Sequence, residues 1–95
     1  MLRTEFEASL SADEPPAGVR EEITALWWLR NNSWQNAHDI IDAHPGTDAA
    51  WLHALLHRME GDDGNANYWY NRAGRERPNI TIGKELELLQ AYFLG

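Results

Sequence analysis

The chain has 95 residues, no cysteine and a formal net charge of −7 at pH 7, and these values set the first limits on its function. A chain of this length forms one domain with a thin core, and without thiols it has neither disulfides nor cysteine chemistry. The acidic balance repels phosphate, so we expect no nucleic-acid binding, and no run approaches the roughly 20 apolar residues of a membrane span. Because the start of the chain, MLRTEFEASL, has scattered charges and no apolar run, a cytoplasmic location is expected.

The first 18 residues are expected to form an N-terminal segment. A short helix is predicted around Thr4–Leu10, and the prolines and glycine of SADEPPAG then break it. Residues 19–95 are predicted to form a single helical-repeat domain. Apolar residues recur there at helical spacing, and no alternating strand pattern persists.

The first two helices of this domain are predicted over residues 19–31 and 33–44. Asn32 or Ser33 is expected to cap the second of them, and Pro45 with Gly46 ends it. Both helices carry apolar residues at helical spacing, namely Val19, Ile23, Leu26 and Trp27 in the first and Trp34, Ala37 and Ile41 in the second.

Three more helices follow. Thr47 is expected to cap a helix over residues 48–60, which ends at Gly61, where a left-handed conformation is favourable. Asp62 or Asp63 is expected to cap the next helix, and Gly74 ends it. The last helix follows the segment RPNITIG and carries Leu86, Leu89 and Phe93 on one face.

Short connections between these helices predict antiparallel hairpins. Two segments share a design in which a polar turn follows an apolar helix end and an alanine follows the turn. The matching alanines are Ala37 and Ala66. In EGDDGNANYWYNRAGRERP, the turn GDDGN is followed by Ala66, Tyr70, Ala73 and Pro78, which is the pattern of the second helix of a tetratricopeptide-like repeat.

The chain therefore resembles the tetratricopeptide-like family over about residues 22–78. It departs from the family in a shorter period, about 29 residues instead of about 34, and in only a loose match of Leu26–Leu29 to the first-helix signature. The resemblance implies an all-α fold of about five short antiparallel helices stacked as helical hairpins. A second resemblance is to small microbial proteins that share HAxLHRxEGDxxNAxYWY, and it implies no particular activity.

Histidines provide the strongest candidate for a chemical site. His53, His57 and Glu60 fall within about 60° of one another on a helical wheel, away from the apolar stripe of the same helix. If the helices on either side of Pro45 pair antiparallel, His38 lies level with His53. Two histidines four residues apart, a third from the neighbouring helix and a carboxylate make a candidate divalent-metal site of His38, His53, His57 and Glu60.

A purely structural role for these histidines is the alternative. HALLH lacks the glutamate that follows the first histidine in zinc-protease helices, and buried histidines commonly donate hydrogen bonds to nearby carboxylates such as Glu60, Asp39 and Asp42. The turn GDDG is not a calcium loop, because no glutamate closes it at the required position. Apart from a divalent metal, no cofactor is expected.

Aromatic residues suggest a contact surface. LWWL and YWY place consecutive rings about 100° apart on their helices, so some of them must point away from the core. Trp28, Tyr68 and Trp69 are expected to line a groove with His53 and His57, either packed against the terminal segments or open to a partner. Because two repeats without capping helices leave apolar ends, we expect a homodimer.

Three function hypotheses follow. The first is a non-catalytic tetratricopeptide-like interaction or assembly module that binds a protein partner, or a second copy of itself, through this groove. The second is a small metal- or ligand-binding protein or enzyme that uses the His/Glu cluster. The third is an acidic inhibitor that neutralises a basic partner.

Overall fold

The computed structural model describes all residues, Met1–Gly95, and confirms the all-α prediction. There are no β-strands, and no helix combines the length and the apolar character that a membrane-spanning segment requires. The six helices, in chain order, are α1 (Arg3–Ser9), α2 (Glu21–Arg30), α3 (Trp34–Asp42), α4 (Thr47–Met59), α5 (Asp63–Ala73) and α6 (Ile82–Phe93).

The helix ends follow the expected breaking residues with two corrections. Ser33 occupies the cap position of α3, as expected, but its side chain makes no capping hydrogen bond. The Asp62 side chain accepts a hydrogen bond from the Asn65 backbone N–H and so caps α5, which ends at Gly74 in the left-handed conformation. Thr47 was expected to cap α4, but the cap position is occupied by Gly46, whose φ of 106° is accessible to glycine at no steric cost. Thr47 is instead the first residue of the helix.

Helices α2 and α3 form one antiparallel hairpin and α4 and α5 form a second, more extensively packed one. Ala37 and Ala66 lie in the second helix of each hairpin and are both fully buried. A methyl side chain at these positions permits close approach of the paired helices. Helix α4 lies at the centre of the molecule and packs against α2, α3, α5 and α6.

The N-terminal segment packs against the helical domain. Phe6 is fully buried, and the Trp27 indole N–H donates to the Ser9 carbonyl at 3.2 Å. The two chain ends pair through backbone hydrogen bonds, from Arg3 N to Gly95 O at 2.9 Å and from Gly95 N to Met1 O at 3.1 Å. Helix α1 is therefore joined both to α2 and to the end of α6.

A buried carboxylate joins α4, α5 and α6. Glu85 is fully buried and accepts hydrogen bonds from the Trp51 indole at 3.0 Å, the Arg58 guanidinium at 2.6 Å and the Tyr70 hydroxyl at 2.6 Å. Burial raises the pKa of Tyr70, and the bond to the Glu85 carboxylate raises it further. The Arg58 pKa is also raised, because the pairing with Glu85 outweighs the opposing effect of burial. The Glu85 carboxylate thus accepts a hydrogen bond from each of the three side chains, Trp51, Arg58 and Tyr70.

Three arginines lie close together in the segment RAGRER, residues 72–77, and each contacts a neighbouring side chain. Arg77 pairs with Asp63 at 2.9 Å, and the Arg75 guanidinium lies over the Trp51 ring at 3.6 Å from its centroid. The Arg72 guanidinium lies 6.0 Å from the centroid of Trp69. Each of the three therefore contacts an acidic or aromatic side chain of this chain.

Candidate metal centre

The α3–α4 turn brings three histidines together. Pro45 and Gly46 end α3 and reverse the chain, so that His38 on α3 faces His53 on α4, as the antiparallel register predicts. The ring centroids of His38 and His53 are 5.1 Å apart, and those of His53 and His57, one helical turn later, are 4.9 Å apart. His38 and His57 complete the triangle at 5.9 Å.

The three imidazoles each offer one ligand nitrogen, and these nitrogens lie within 4.8 Å of one another. Tetrahedral coordination with bonds of about 2.0–2.1 Å would bring such nitrogens to about 3.3 Å apart. The rings of His53 and His57 are stacked, with an interplanar angle of 17°. Convergence of the three nitrogens on one ion therefore requires rotation of at least one ring about its side-chain torsions.

Two tryptophans stack on the histidines. Trp34 lies parallel to His38, with centroids 4.8 Å apart, and Trp69 lies parallel to His53 at 3.9 Å. The Trp34 indole N–H donates to the Leu56 carbonyl at 2.8 Å, which anchors the ring against α4. These stacks restrict the orientation of two imidazoles. Trp34 was expected only as a core residue, and its place in this cluster was not predicted from the sequence.

Glu60 lies beside the histidine group rather than within it. Its Oε1 is 2.6 Å from His57 Nδ1, so the carboxylate fixes the orientation of that ring and leaves Nε2 as the available nitrogen. A second cluster joins His57 with Glu60 and Asp62. Asp62, however, already caps α5. Glu60, expected as a ligand, therefore lies outside the group of three histidines and contacts one of them.

Burial keeps His53 neutral. Only 3% of this residue is exposed, and its pKa is lowered to about 4, mainly by desolvation and to a smaller extent by His57 and His38. Asp42 acts in the opposite direction, but its Oδ1 is 4.0 Å from His53 Nε2, beyond hydrogen-bond distance. At neutral pH the imidazole is therefore in the form that binds metals.

The low pKa of His53 makes the protein sensitive to acid. A histidine whose pKa is lower in the folded than in the unfolded state binds fewer protons when folded, so stability falls as the pH drops from about 6.5 to about 4. We expect wild type to lose about 2–3 kcal/mol more than His53→Gln between pH 7 and pH 4.5, measured by urea unfolding of the metal-free proteins. A difference between the two proteins that did not change with pH would contradict this.

The residues predicted to line an aromatic groove are only partly brought together. Trp69 stacks on His53, and Tyr68, which is 50% exposed, packs edge-on against Trp69 at 5.2 Å. Trp28 lies on α2, packed edge-on against Trp27 at 5.0 Å and against the core. The aromatic contacts thus join His53, His57, Tyr68 and Trp69, and they do not extend to Trp28.

Comparison with known proteins found no matching family model, no similar curated protein and no similar solved structure.

Proposed function

We propose that this protein binds one divalent transition-metal ion through the imidazoles of His38, His53 and His57. The observation that carries the proposal is the placement of one ligand nitrogen from each of these side chains within 4.8 Å of the other two. The three come from two helices that pack through a short turn. The site is therefore assembled by the fold rather than by a flexible loop.

The donor set determines which metals fit. Three imidazoles without a thiolate suit Zn²⁺, Cu²⁺, Ni²⁺ and Co²⁺, whereas Mg²⁺ and Ca²⁺ prefer oxygen ligands. The carboxylate of Glu60 on the second nitrogen of His57 is the outer partner that metal-binding histidines commonly have. Both features favour a nitrogen-rich transition-metal centre.

Metal loading tests the proposal. The chain, purified without a polyhistidine tag, is incubated with Zn²⁺, dialysed and analysed by mass spectrometry of the metal, and we expect about one ion per chain. Cu²⁺ should quench tryptophan fluorescence, because Trp34 and Trp69 stack directly on two proposed ligands. Metal that dialyses away completely, with no change in fluorescence, would contradict the proposal.

A protein-interaction module is the second candidate. Leu88 and Tyr92 lie one turn apart on α6 and are 50% and 53% exposed, and together with Trp51 and Ala91 they help to line a groove of about 670 Å³. Exposed apolar surface of this kind is typical of contact sites. The hairpin arrangement is also compatible with a tetratricopeptide-like module, for which the first partner to consider is a second copy of the chain.

Sedimentation velocity over a range of protein concentrations tests this second candidate. A dimer that forms in wild type and is lost in Leu88→Arg would support self-association through α6. The matched control is Glu87→Arg, since Glu87 is the exposed neighbour of Leu88 and its side chain is 72% exposed. A chain that stays monomeric at all concentrations would remove the homodimer.

A further inference from the structure

We propose that the three-histidine centre has an open coordination position that takes water and small monoanions. This inference rests on the proposed metal binding and concerns the fourth coordination position of the bound ion. Structural zinc sites are closed by four protein ligands, whereas sites that exchange ligands keep three and leave the fourth position to water or substrate. The question is therefore whether a fourth side chain is available.

The group of mutually close ligand atoms that contains His38 consists of the three histidines and includes no carboxylate. The Glu60 carboxylate already contacts His57 Nδ1 at 2.6 Å. Asp62 accepts hydrogen bonds from the Asn65 backbone N–H at 3.2 Å and from its side-chain amide at 2.7 Å. Both nearby carboxylates thus have other partners that they would have to leave in order to bind the ion.

Asp42 is the remaining competitor for the fourth position. Its Oδ1 lies 4.0 Å from His53 Nε2, but the residue does not join the group formed by the three imidazoles, and 65% of its side chain is exposed to solvent. To close the site, this aspartate would have to leave water and move towards all three rings. The structure favours a solvent molecule in that position instead.

Charge defines the class of external ligand. Three neutral imidazoles leave a bound divalent ion with its full charge of about +2, which attracts an anion. The carboxylates of Asp42 and Glu60 lie next to His53 and His57, and their side chains are 65% and 40% exposed. Their negative charge disfavours dianions and larger polyanions. A hydroxide, azide or small carboxylate is therefore the ligand that the site fits.

Azide titration of the cobalt-loaded chain tests the inference. Tetrahedral Co²⁺ absorbs visible light much more strongly than the hydrated ion, and a change of ligand shifts its bands. We expect azide to shift the spectrum saturably in wild type and in Asp42→Asn alike. In Glu60→Gln we expect about tenfold weaker Co²⁺ binding with an unchanged spectrum, as for loss of an orienting partner.

The outcomes separate the two proposals. If Co²⁺ does not bind to wild type, the metal-binding function itself fails. If Co²⁺ binds and azide leaves the spectrum unchanged, metal binding stands and the open position is overturned. In that case, a changed spectrum in Asp42→Asn or Glu60→Gln would identify the protein carboxylate that closes the site.

Discussion

Substitution of His57 by alanine is expected to weaken Zn²⁺ binding by more than about 100-fold. The variant removes one of three proposed ligands, and loss of an orienting partner alone already costs about 10–100-fold. His57 lies at the edge of the core, with 13% of its side chain exposed, so the fold should tolerate the change. Competition of each protein with a chromogenic chelator measures the affinities, and thermal unfolding followed by circular dichroism checks the fold.

Two matched variants distinguish a ligand from a structural histidine. His57→Gln can still donate a hydrogen bond to Glu60 but lacks a ligand nitrogen, so we expect normal stability and the same loss of metal. His44→Ala removes the one histidine outside the cluster, which lies 3.6 Å from Glu22, and should leave Zn²⁺ binding within about twofold of wild type. Equal affinity of His57→Gln and wild type would contradict the ligand assignment.

Substitution of Glu85 by alanine is expected to lower the free energy of unfolding by about 3–5 kcal/mol. Removal of this fully buried carboxylate leaves the Arg58 guanidinium, only 13% exposed, without its counter-charge. It also leaves the buried Tyr70 hydroxyl and Trp51 indole without an acceptor. Urea unfolding at pH 7 measures the change.

Variants of α6 provide the controls for Glu85. Glu87→Ala, at an exposed position paired only with Lys84 at 3.4 Å, should alter stability by no more than about 0.5 kcal/mol. Glu85→Gln keeps the shape and the acceptor oxygen but loses the charge, and it should fall between the two. Domains of this size are stable by about 5–15 kcal/mol, so the loss expected for Glu85→Ala can be large enough to unfold the protein. In that case Glu85→Gln serves as the folded variant. If Glu85→Ala and Glu87→Ala lowered the free energy of unfolding by similar amounts, Glu85 would not be the residue that joins α4, α5 and α6.

The positions of the helices could be predicted because the sequence separates them with strong local signals. Pro45, Gly61 and Gly74 each end a helix through backbone conformation alone, which needs no knowledge of distant contacts. The short turn after α3 then fixes the register of the next helix, and this is why the approach of His38 to His53 was predicted correctly. Local rules are sufficient where the partners are neighbours in the chain.

Contacts between distant elements could not be predicted in the same way. Trp34 lies four residues before His38 on α3, and this spacing makes them neighbours on the helix surface. Whether the Trp34 ring also turns against α4, where its N–H donates to the Leu56 carbonyl, depends on how α3 packs on α4. Glu85 had one usable signal, since it lies four residues before Leu89 and so shares the buried face of α6. A carboxylate on an apolar face indicates a buried partner, but the identity of that partner depends on the tertiary fold.

The most direct test of the three-histidine centre is X-ray absorption spectroscopy of the chain loaded with one equivalent of Zn²⁺. We expect about three nitrogen scatterers at about 2.0–2.1 Å with the outer-shell pattern of imidazole rings, together with one additional light ligand. A spectrum dominated by oxygen ligands, without imidazole scattering, would show that His38, His53 and His57 do not hold the ion.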